Sequence, residues 1–378
     1  MRAALVLFDW FPHGGLQRDC QRIGMSLVSS GAKVDAICMS WQGEVPDGIR
    51  PVVMPVKKGS KLARRRGFAA FLENHLATEG YDVVLGFNRL PGLDYYFAAD
   101  TCFAWKAVHE RNWFYRLAPR SRQYLEFERA VFGPASAARL FMLSPLQKEE
   151  YAACYPESAE RMIDVPPGID RDRMAGEDAG ALRKSCRREL GISDDEFLVL
   201  QAGSGFPIKG VKRSLIALAS LPTAQRDKTR LVIIGRDEPG RFKSLAGKLK
   251  IESCVTFLKS RDDLPRFFQA ADLLLHPSHK ESAGMVILEA IVAGLPVLTT
   301  ASCGYAFHVR QADAGCVIEN PFSQQHLNDS LLAMIRGNDR DRWRKNGIEY
   351  GKKGDFYAMP DRIAAMLMDF AKGNVHAG

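Results

Sequence analysis

Two carboxylates stand close together in one short apolar stretch, His279 to Val297. Glu281 comes just before a predicted helix, 284–293, and Glu289 lies within its apolar body. Because a helix rises about 1.5 Å per residue, its start and Glu289 are about 7.5 Å apart. An extended polar ligand could therefore contact Glu281, the helix start and Glu289 in turn, and ribose hydroxyls would suit an acid among apolar neighbours. The alternative is an ordinary loop acid followed by a solvent-facing helix glutamate.

The ends of this helix are also marked in the sequence. Ser282 is the expected N-cap, and Gly294 followed by Pro296 is the expected stop. Gly284 allows another group to approach the backbone closely. The free N–H groups of the first turn and the helix dipole favour a phosphate between the two acids. A sugar, a diphosphate and a ribose, in that order, would match this arrangement.

A second turn that could bind phosphate follows a predicted strand, 197–202, and opens a predicted helix, 211–219. It contains Lys209, which could neutralise a diphosphate, although the G-K-[ST] of a P-loop is absent. Taken alone, Lys209 would equally suit an ordinary surface. No D-x-D pair stands near this turn, so we expect no metal and no cofactor. Protein cations and the helix dipole would then stabilise a leaving nucleotide.

Composition excludes several classes of protein. The 378 residues are 46% hydrophobic and 25% charged, which predicts two globular domains. No apolar run reaches the ~18–20 residues of a membrane span, and the apolar N-terminal run predicts a first strand rather than a signal peptide. Eight scattered cysteines form no C-x-x-C pair, which indicates reduced thiols in a cytosolic protein. The net charge of +8 predicts an acidic partner: an anionic membrane, an acidic protein or nucleic acid.

Two successive series of short buried strands alternating with helices organise the chain. The first begins at Ala3, and the second follows a rigid Val165–Gly168 linker. This pattern predicts an α/β protein with two doubly wound Rossmann-like domains that face each other across a ligand-binding cleft. We place the first domain at 1–166 and the second at 167–359. A C-terminal helix at about 360–378 should pack back on the first domain.

Polar features of the first domain follow the ends of its predicted strands. The Gly14-Gly15 turn precedes a helix, 17–30, and could admit a sugar or a phosphate, but it is not a dinucleotide fingerprint. Asp19 should point toward this turn, unless it only complements the helix dipole. Asp100 follows the predicted strand 95–99, at the edge where open sheets bind ligands.

Basic and aromatic residues alternate between Phe103 and Phe132. This pattern suits a helix on an anionic membrane surface. Single-stranded nucleic acid and a core helix with a basic outer face are the alternatives. The predicted membrane-contact residues are Lys106, Arg111, Arg116, Arg120 and Arg122. A further stretch, Arg50 to Arg66, holds seven Lys/Arg and no acid, and is either a solvated loop or an anion-contact segment.

Glu281 and Glu289 resemble the E-x7-E element of retaining glycosyltransferases of the GT-B fold, family 4 type. The segments FPHGGLQRD, GFNRLPGLDYYFAAD, FERA, PPGI, AADLLLHP and LEAIVAGLPVLTTASCGYA resemble lipopolysaccharide core glucosyltransferases. The resemblance implies metal-independent transfer of glucose from UDP-glucose, with retention, to a lipid-linked heptose of the inner core. It also implies a peripheral protein on the cytoplasmic face of the inner membrane. An acidic protein stays a possible further partner, and nucleic acid is not expected as a partner. Two alternatives stay open: another sugar or acceptor, or a non-catalytic scaffold.

The resemblance also implies roles for particular residues. Glu281 would hold the glucose hydroxyls, Glu289 the ribose, and Arg261 would lie near the uracil. The N–H groups of Ala283 and Gly284 would bind the diphosphate together with Lys209. The expected catalytic residues are Asp19, Asp100 and Glu281, and the expected substrate-binding residues are Gly14, Gly15, Arg173, Lys209, Arg261, Ser282, Ala283, Gly284 and Glu289.

One departure from the family pattern concerns the diphosphate. Ile208 stands where the family often has an arginine directly before the lysine. One expected cation is therefore missing, and Arg213 is predicted to lie too far round the helix to replace it.

Overall fold

The computed structural model describes residues 1–12, 14–55 and 59–375. Predictions that involve His13, Lys57, Lys58 or residues 376–378 lie outside the described residues. The chain divides into two compact units, Met1–Gly168 with Tyr357–Gly378, and Ile169–Phe356.

The first unit is built on a parallel sheet of seven strands. The strands of this unit, seven in that sheet and two beside it, are β1 (Arg2–Val6), β2 (Asp9–Trp10), β3 (Lys33–Cys38), β4 (Ser40–Trp41), β5 (Ile49–Val53), β6 (Val83–Gly86), β7 (Tyr95–Phe97), β8 (Arg139–Met142) and β9 (Met162–Asp164). The sheet order is β5-β3-β1-β6-β7-β8-β9, and β2 pairs with β4 beside it. The order reverses between β1 and β6, which is the position where doubly wound sheets bind ligands.

Helices cover both faces of this sheet. They are α1 (Gly15–Ser29), α2 (Lys61–Glu79), α3 (Phe103–His109), α4 (Phe114–Leu117), α5 (Pro119–Phe132) and α6 (Pro145–Cys154). Ala3 and Leu5 of β1 belong to one buried apolar cluster, while Ala4 and Val6 belong to another. Because alternate side chains of a strand point to opposite faces, both faces of β1 are buried, and its sequence is therefore continuously apolar.

The second unit repeats the plan with six parallel strands. They are β10 (Phe197–Ala202), β11 (Thr229–Ile234), β12 (Val255–Leu258), β13 (Leu273–His276), β14 (Val297–Thr300) and β15 (Gly315–Ile318). The order is β12-β11-β10-β13-β14-β15, so it reverses between β10 and β13. The helices are α7 (Ala179–Glu189), α8 (Val211–Ala219), α9 (Thr223–Arg226), α10 (Gly240–Lys248), α11 (Leu264–Ala270), α12 (Met285–Val292), α13 (Ala306–Gln311), α14 (Gln324–Arg336) and α15 (Arg340–Lys353).

A final helix, α16 (Met359–Val375), belongs to the first unit. Its Ile363 and Leu367 are fully buried in the same apolar cluster as Ile23 and Leu27 of α1. The prediction of two doubly wound α/β domains is confirmed. None of the helices in the described part of the chain is long and apolar enough to cross a membrane.

Some elements were not predicted, and the stretch 103–132 forms three helices instead of one. Pro119 is the first residue of α5, where its fixed backbone suits a helix start and ends the element before it. The edge strand β5 was not predicted because it is mostly exposed and contains Pro51. The helix α7, with the sequence ALRKSCRRE, was not predicted because charged residues interrupt its apolar pattern.

Candidate active site

The turn after β10 is held in one conformation by two side chains that bond to its backbone. The Asp237 carboxylate accepts hydrogen bonds from the N–H groups of Gly205 at 2.6 Å and Phe206 at 3.1 Å. The Gln201 amide donates to the carbonyl of Lys209 at 2.8 Å. These contacts fix the backbone from which the Lys209 side chain extends, at the carboxyl end of β10.

The segment between β13 and α12 lies on the other side of the strand-order reversal. The prediction of Ser282 as N-cap is wrong, because Gly284 directly precedes the helix and has a left-handed conformation with φ 93°. Glu281 instead pairs with Cys303 as a parallel β-bridge to the loop after β14. This pairing holds residues 281–283 against the sheet edge, so the helix begins only at Met285.

A charged group of three side chains joins these two segments. Lys209 Nζ donates to Glu281 Oε2, and His276 Nε2 donates to Glu281 Oε1 at 2.5 Å. Burial by itself would raise the pKa of Glu281, but the attraction of His276 and Lys209 outweighs it and holds that pKa well below its usual range. Glu281 is therefore an ionised, acceptor-only group at neutral pH.

Backbone donors lie beside this carboxylate. Among the described residues, nothing accepts a hydrogen bond from the N–H groups of Ala283 or Gly284. A Cβ placed on Gly284 would lie 3.6 Å from Glu281 Oε2, so these donors and the carboxylate are adjacent. Free N–H groups at a helix start bind anions, and a lysine next to them adds positive charge.

Glu289 is buried, with 6% of its surface exposed, so the solvent-facing alternative is wrong. Arg173 is also buried, and its Nε lies 3.4 Å from Glu289 Oε1. Two guanidinium nitrogens of Arg173, Nε and Nη1, have no hydrogen-bond partner in the described structure. Arg173 therefore keeps hydrogen-bonding capacity next to Glu289, at the α12 side of the second unit.

Two further cations considered for the donor site, Arg261 and Arg213, are already engaged. Arg261 forms two hydrogen bonds to Asp263, at 2.7 Å and 2.9 Å, and lies 3.4 Å from Glu189. Arg213 donates to two backbone carbonyls, at 3.1 Å and 3.0 Å, and stacks on Phe322. Ile208 is 56% exposed. Arg213 therefore does not supply the cation that Ile208 lacks.

One group of side chains has the spacing of metal ligands. His276, Glu281 and Cys303 place their ligand atoms within 4.8 Å of one another. Both oxygens of Glu281 are bonded to His276 and Lys209, and burial raises the pKa of the Cys303 thiol to about 11. A metal ion would have to displace the ammonium of Lys209 and deprotonate the thiol. The cluster therefore suits the Lys209 ammonium better than a metal ion.

In the first unit, the glycine turn begins α1. Gly14 is the N-cap, and a Cβ on Gly15 would meet open space. Gln17 donates to the carbonyl of Asp9 at 2.8 Å, which ties the helix start to β2. Asp19 is the fifth residue of α1 and is half-buried, so it is not a first-turn acid. The Asp19 side chain therefore extends from the second turn of α1.

Asp100, half exposed after β7, is held by a buried charge network that the sequence reasoning missed. Arg89 Nη2 lies 3.3 Å from Asp100 Oδ2, and Arg89 Nη1 donates to Glu128. Glu128 is fully buried, and it also accepts the N–H groups of Phe103 at 2.7 Å and Ala104 at 2.8 Å. The only signal was the occurrence of Arg89 and Glu128 in the resemblance segments GFNRL and FERA.

The helices α3 to α5 present what we call the basic–aromatic surface. Trp113 and Phe114 are 61% and 62% exposed, and Leu117 is 47% exposed. Arg111, Arg116, Arg120 and Arg122 are exposed, whereas Lys106 is half-buried. The Arg116 guanidinium donates to the Ala107 carbonyl at 3.0 Å, which orders α4 against α3.

The two halves of the chain match known families separately. Residues 183–350 match "Glycosyl transferases group 1", and residues 13–173 match "Glycosyltransferase Family 4". The chain is 42% identical over 368 residues to "Lipopolysaccharide glucosyltransferase WaaG" of Escherichia coli (strain K12), covering 97% of this chain and 98% of that protein. The chain belongs to the family of that glucosyltransferase. It is a glycosyltransferase with a GT-B fold.

Solved structures agree with this assignment. The crystal structure of WaaG, described as a glycosyltransferase involved in lipopolysaccharide biosynthesis, has a TM-score of 0.92 at 42% identity and covers 97% of this chain and 99% of its own. Anabaena Alr3699/HepE in complex with UDP-glucose has a TM-score of 0.67 at 17% identity, covering 100% and 99%. The second likeness shows a shared fold.

Proposed function

We propose that this glycosyltransferase transfers glucose from UDP-glucose to a heptose of the lipopolysaccharide inner core, with retention of configuration. The observation that carries the donor assignment is the Lys209–Glu281 pair beside the free N–H groups of Ala283 and Gly284. A glycosyl diphosphate needs acceptors for sugar hydroxyls next to donors and positive charge for phosphate, and this group supplies both.

Each donor-site residue then has a role. Ionised Glu281 accepts hydrogen bonds from the glucose hydroxyls, while Lys209 turns toward the diphosphate. The α12 start, Ser282 to Gly284, surrounds the same phosphates. Glu289, supported by Arg173, accepts the ribose hydroxyls, and Arg261 lies near the uracil.

The chemical step is proposed to proceed on one face of the sugar. The acceptor oxygen bonds to C1 as the bond from C1 to the phosphate oxygen breaks, and the departing phosphate takes the acceptor proton. No side chain at the site is placed as a nucleophile in this scheme. Lys209 and the α12 N–H groups stabilise the negative charge that develops on UDP, so no metal or cofactor is required.

The acceptor is proposed to bind the first unit. Gly15, next to the buried N-cap Gly14, leaves backbone accessible at the start of α1. Asp19 and Asp100 supply carboxylates for heptose hydroxyls. Parallel sheets bind ligands at this edge.

The basic–aromatic surface is proposed to bind the anionic inner membrane, on its cytoplasmic face, where the lipid-linked acceptor is held. Exposed aromatic rings beside arginines suit a headgroup layer. The triple substitution of Arg116, Arg120 and Arg122 by Glu should reduce sedimentation with anionic vesicles at least tenfold. The matched control is Arg188, Lys243 and Lys248 to Glu, three exposed cations of the second unit. Equal losses in both variants would contradict a specific surface. An acidic protein partner stays a prediction from net charge.

The test of the whole proposal is a donor and acceptor screen. Purified protein is incubated with UDP-glucose, other UDP-sugars and a core lipid truncated at the inner-core heptose, and products are followed by mass spectrometry. We expect addition of one hexose from UDP-glucose, with an α linkage by NMR. Transfer from another donor only, or binding of UDP-glucose without turnover, would contradict the proposal.

A further inference from the structure

A cavity of about 540 Å³ lies in the first unit beside the glycine turn. It is enclosed by residues 10–12, by Gln17, Arg18 and Gln21 of α1, and by residues 42–47. We call it the α1 cavity. Its walls are the first two turns of α1 and the loops that follow β2 and β4, so it opens at the carboxyl edge of the sheet, where such folds bind ligands. Its volume is within the range of small-molecule pockets.

The walls of the α1 cavity are pre-formed. Trp10 stacks on Trp41 with ring centroids 4.3 Å apart, which joins the two loops at their base. Gly43 has φ 91°, and a Cβ there would lie 2.7 Å from Pro12 Cγ, so the second loop packs closely on the first. A pre-formed wall lowers the entropy cost of ordering a ligand.

Gln17 is held by the Asp9 carbonyl, but five other polar side chains that line the α1 cavity have no partner among the described residues. Arg18, Gln21, Gln42, Glu44 and Asp47 are exposed, and within the described residues their side chains form no hydrogen bond or ion pair. They supply a guanidinium, two amides and two carboxylates. This mixture of donors and acceptors matches a ligand with many hydroxyl groups, each of which both donates and accepts.

The charges of the α1 cavity favour a neutral ligand. The described residues that line it include one cation, Arg18, and two carboxylates, Glu44 and Asp47. A phosphate bound there would meet two like charges near one opposite charge, which costs free energy. Hydroxyl groups can bond to all three side chains without such a cost.

The position of the cavity sets which part of the acceptor it can reach. It borders the ends of β1 and β3, whereas Asp100 follows β7. In the sheet order β3-β1-β6-β7, β7 lies two strand spacings from β1 and three from β3, which is about 10–14 Å. One sugar ring contacting Asp100 could not also fill the cavity, whereas an oligosaccharide could reach both.

We propose that the α1 cavity binds a neutral sugar of the acceptor other than the one that receives glucose. The inference rests on the proposed function, because it assigns a second sugar position to the same acceptor. The cavity then favours acceptors long enough to fill it, while the sugar near Asp100 receives glucose.

The test uses the double variant Gln21→Ala/Glu44→Ala with two acceptors. One is a lipid-free, unphosphorylated core oligosaccharide, and the other is a methyl heptoside. The variant should raise KM for the oligosaccharide at least tenfold. It should leave kcat/KM for the heptoside and KM for UDP-glucose within twofold. The control is Glu73→Ala/Asn74→Ala, an exposed acid and amide on α2, which should change none of these values. Equal effects on both acceptors, or no effect, would overturn the inference while leaving the proposed function intact.

A direct binding measurement separates this inference from the proposed function. The unphosphorylated oligosaccharide is titrated into the intact protein without donor and followed by NMR line broadening. Binding by the wild type that the double variant loses supports the cavity even if no glucose transfer is found. Absence of binding by the wild type overturns the inference. Binding only of a phosphorylated fragment, lost in the double variant, overturns the neutral class.

Discussion

The two units each contain a charge network at the carboxyl edge of a parallel sheet, and the two networks differ in what they leave accessible. In the second unit, Lys209 and Glu281 pair while keeping 21% and 10% of their side-chain surface exposed. In the first unit, Arg89 and Glu128 keep 8% and 0%, and only Asp100 emerges, at 50%. An accessible pair can exchange a partner for a ligand, whereas an enclosed pair can only support its neighbours. The Lys209–Glu281 network of the second unit therefore suits binding, and the Arg89–Glu128 network of the first unit suits positioning.

The largest effect should follow from opening the enclosed pair. Glu128→Ala leaves Arg89 buried without its main partner and two N–H groups without an acceptor, so it should lower the free energy of unfolding by about 3–5 kcal/mol. Urea unfolding measures this loss. The matched control is Glu126→Ala on the same helix, where the carboxylate is 58% exposed and pairs with Arg66. It should cost less than about 0.5 kcal/mol. Similar losses in both variants would contradict the difference between enclosed and exposed pairs.

A smaller but catalytic effect should follow from opening the accessible pair. Glu281→Ala removes the proposed acceptor of the glucose hydroxyls and should lower kcat about 10²–10³-fold, as loss of a transition-state contact does. Steady-state glucose transfer measures it. Glu319→Ala, an exposed acid paired with Arg310, serves as the control and should leave kcat unchanged. Wild-type turnover in Glu281→Ala would remove this residue from the site.

The stability of the second unit should also depend on pH, because this unit encloses a histidine. His308 is 4% exposed, and burial lowers its pKa from 6.5 to about 4. Between these values the unfolded chain binds more protons than the folded chain, so stability is complete above pH 6.5 and is lost as the pH falls toward 4. The loss between pH 7.5 and 4.5 should be about 2–3 kcal/mol.

The variant His308→Gln isolates this contribution from the other titrating groups. Glutamine can keep a hydrogen bond to Tyr350, which lies 2.7 Å from His308 Nδ1, but it cannot take up a proton. Urea unfolding at the two pH values should show a smaller difference for the variant than for the wild type. An unchanged difference would mean that His308 does not titrate with folding.

The smallest effect should be on UDP binding. Lys209→Ala removes one charged donor but leaves the helix N–H groups, so the Kd for UDP should rise about tenfold. Isothermal titration measures this change. Lys212→Ala, an exposed lysine at the start of the next helix, should leave the Kd unchanged. An equal rise in both variants would indicate a general loss of positive field instead of a contact by Lys209.

Several elements were predicted to the residue, among them β10, β12, β13 and α8. The central strands β10 and β13 have nearly continuous apolar runs because both faces of the sheet are buried there. The edge strands β5 and β15 were not predicted, because β5 contains Arg50 and Pro51 and β15 is a short segment that begins at Gly315. The edge strand β12 was predicted because three of its four residues are apolar, although it is only partly buried. Gly294 was correctly predicted to end α12, where its φ is 75°. Ser282 was a wrong N-cap because a bridge to the loop after β14 decided where the helix begins.

What the sequence by itself determined is local: the alternation of strands and helices, the two turns that carry Lys209 and Glu281, and the spacing of Glu281 from Glu289. These follow from periodicity and turn chemistry within a few residues. Only the tertiary structure decided which charges pair. Arg89 and Glu128 are 39 residues apart in the chain, and Lys209 and Glu281 are 72 apart. Burial makes an unpaired charge costly, so folding selects such partners by position in space, which no local pattern records.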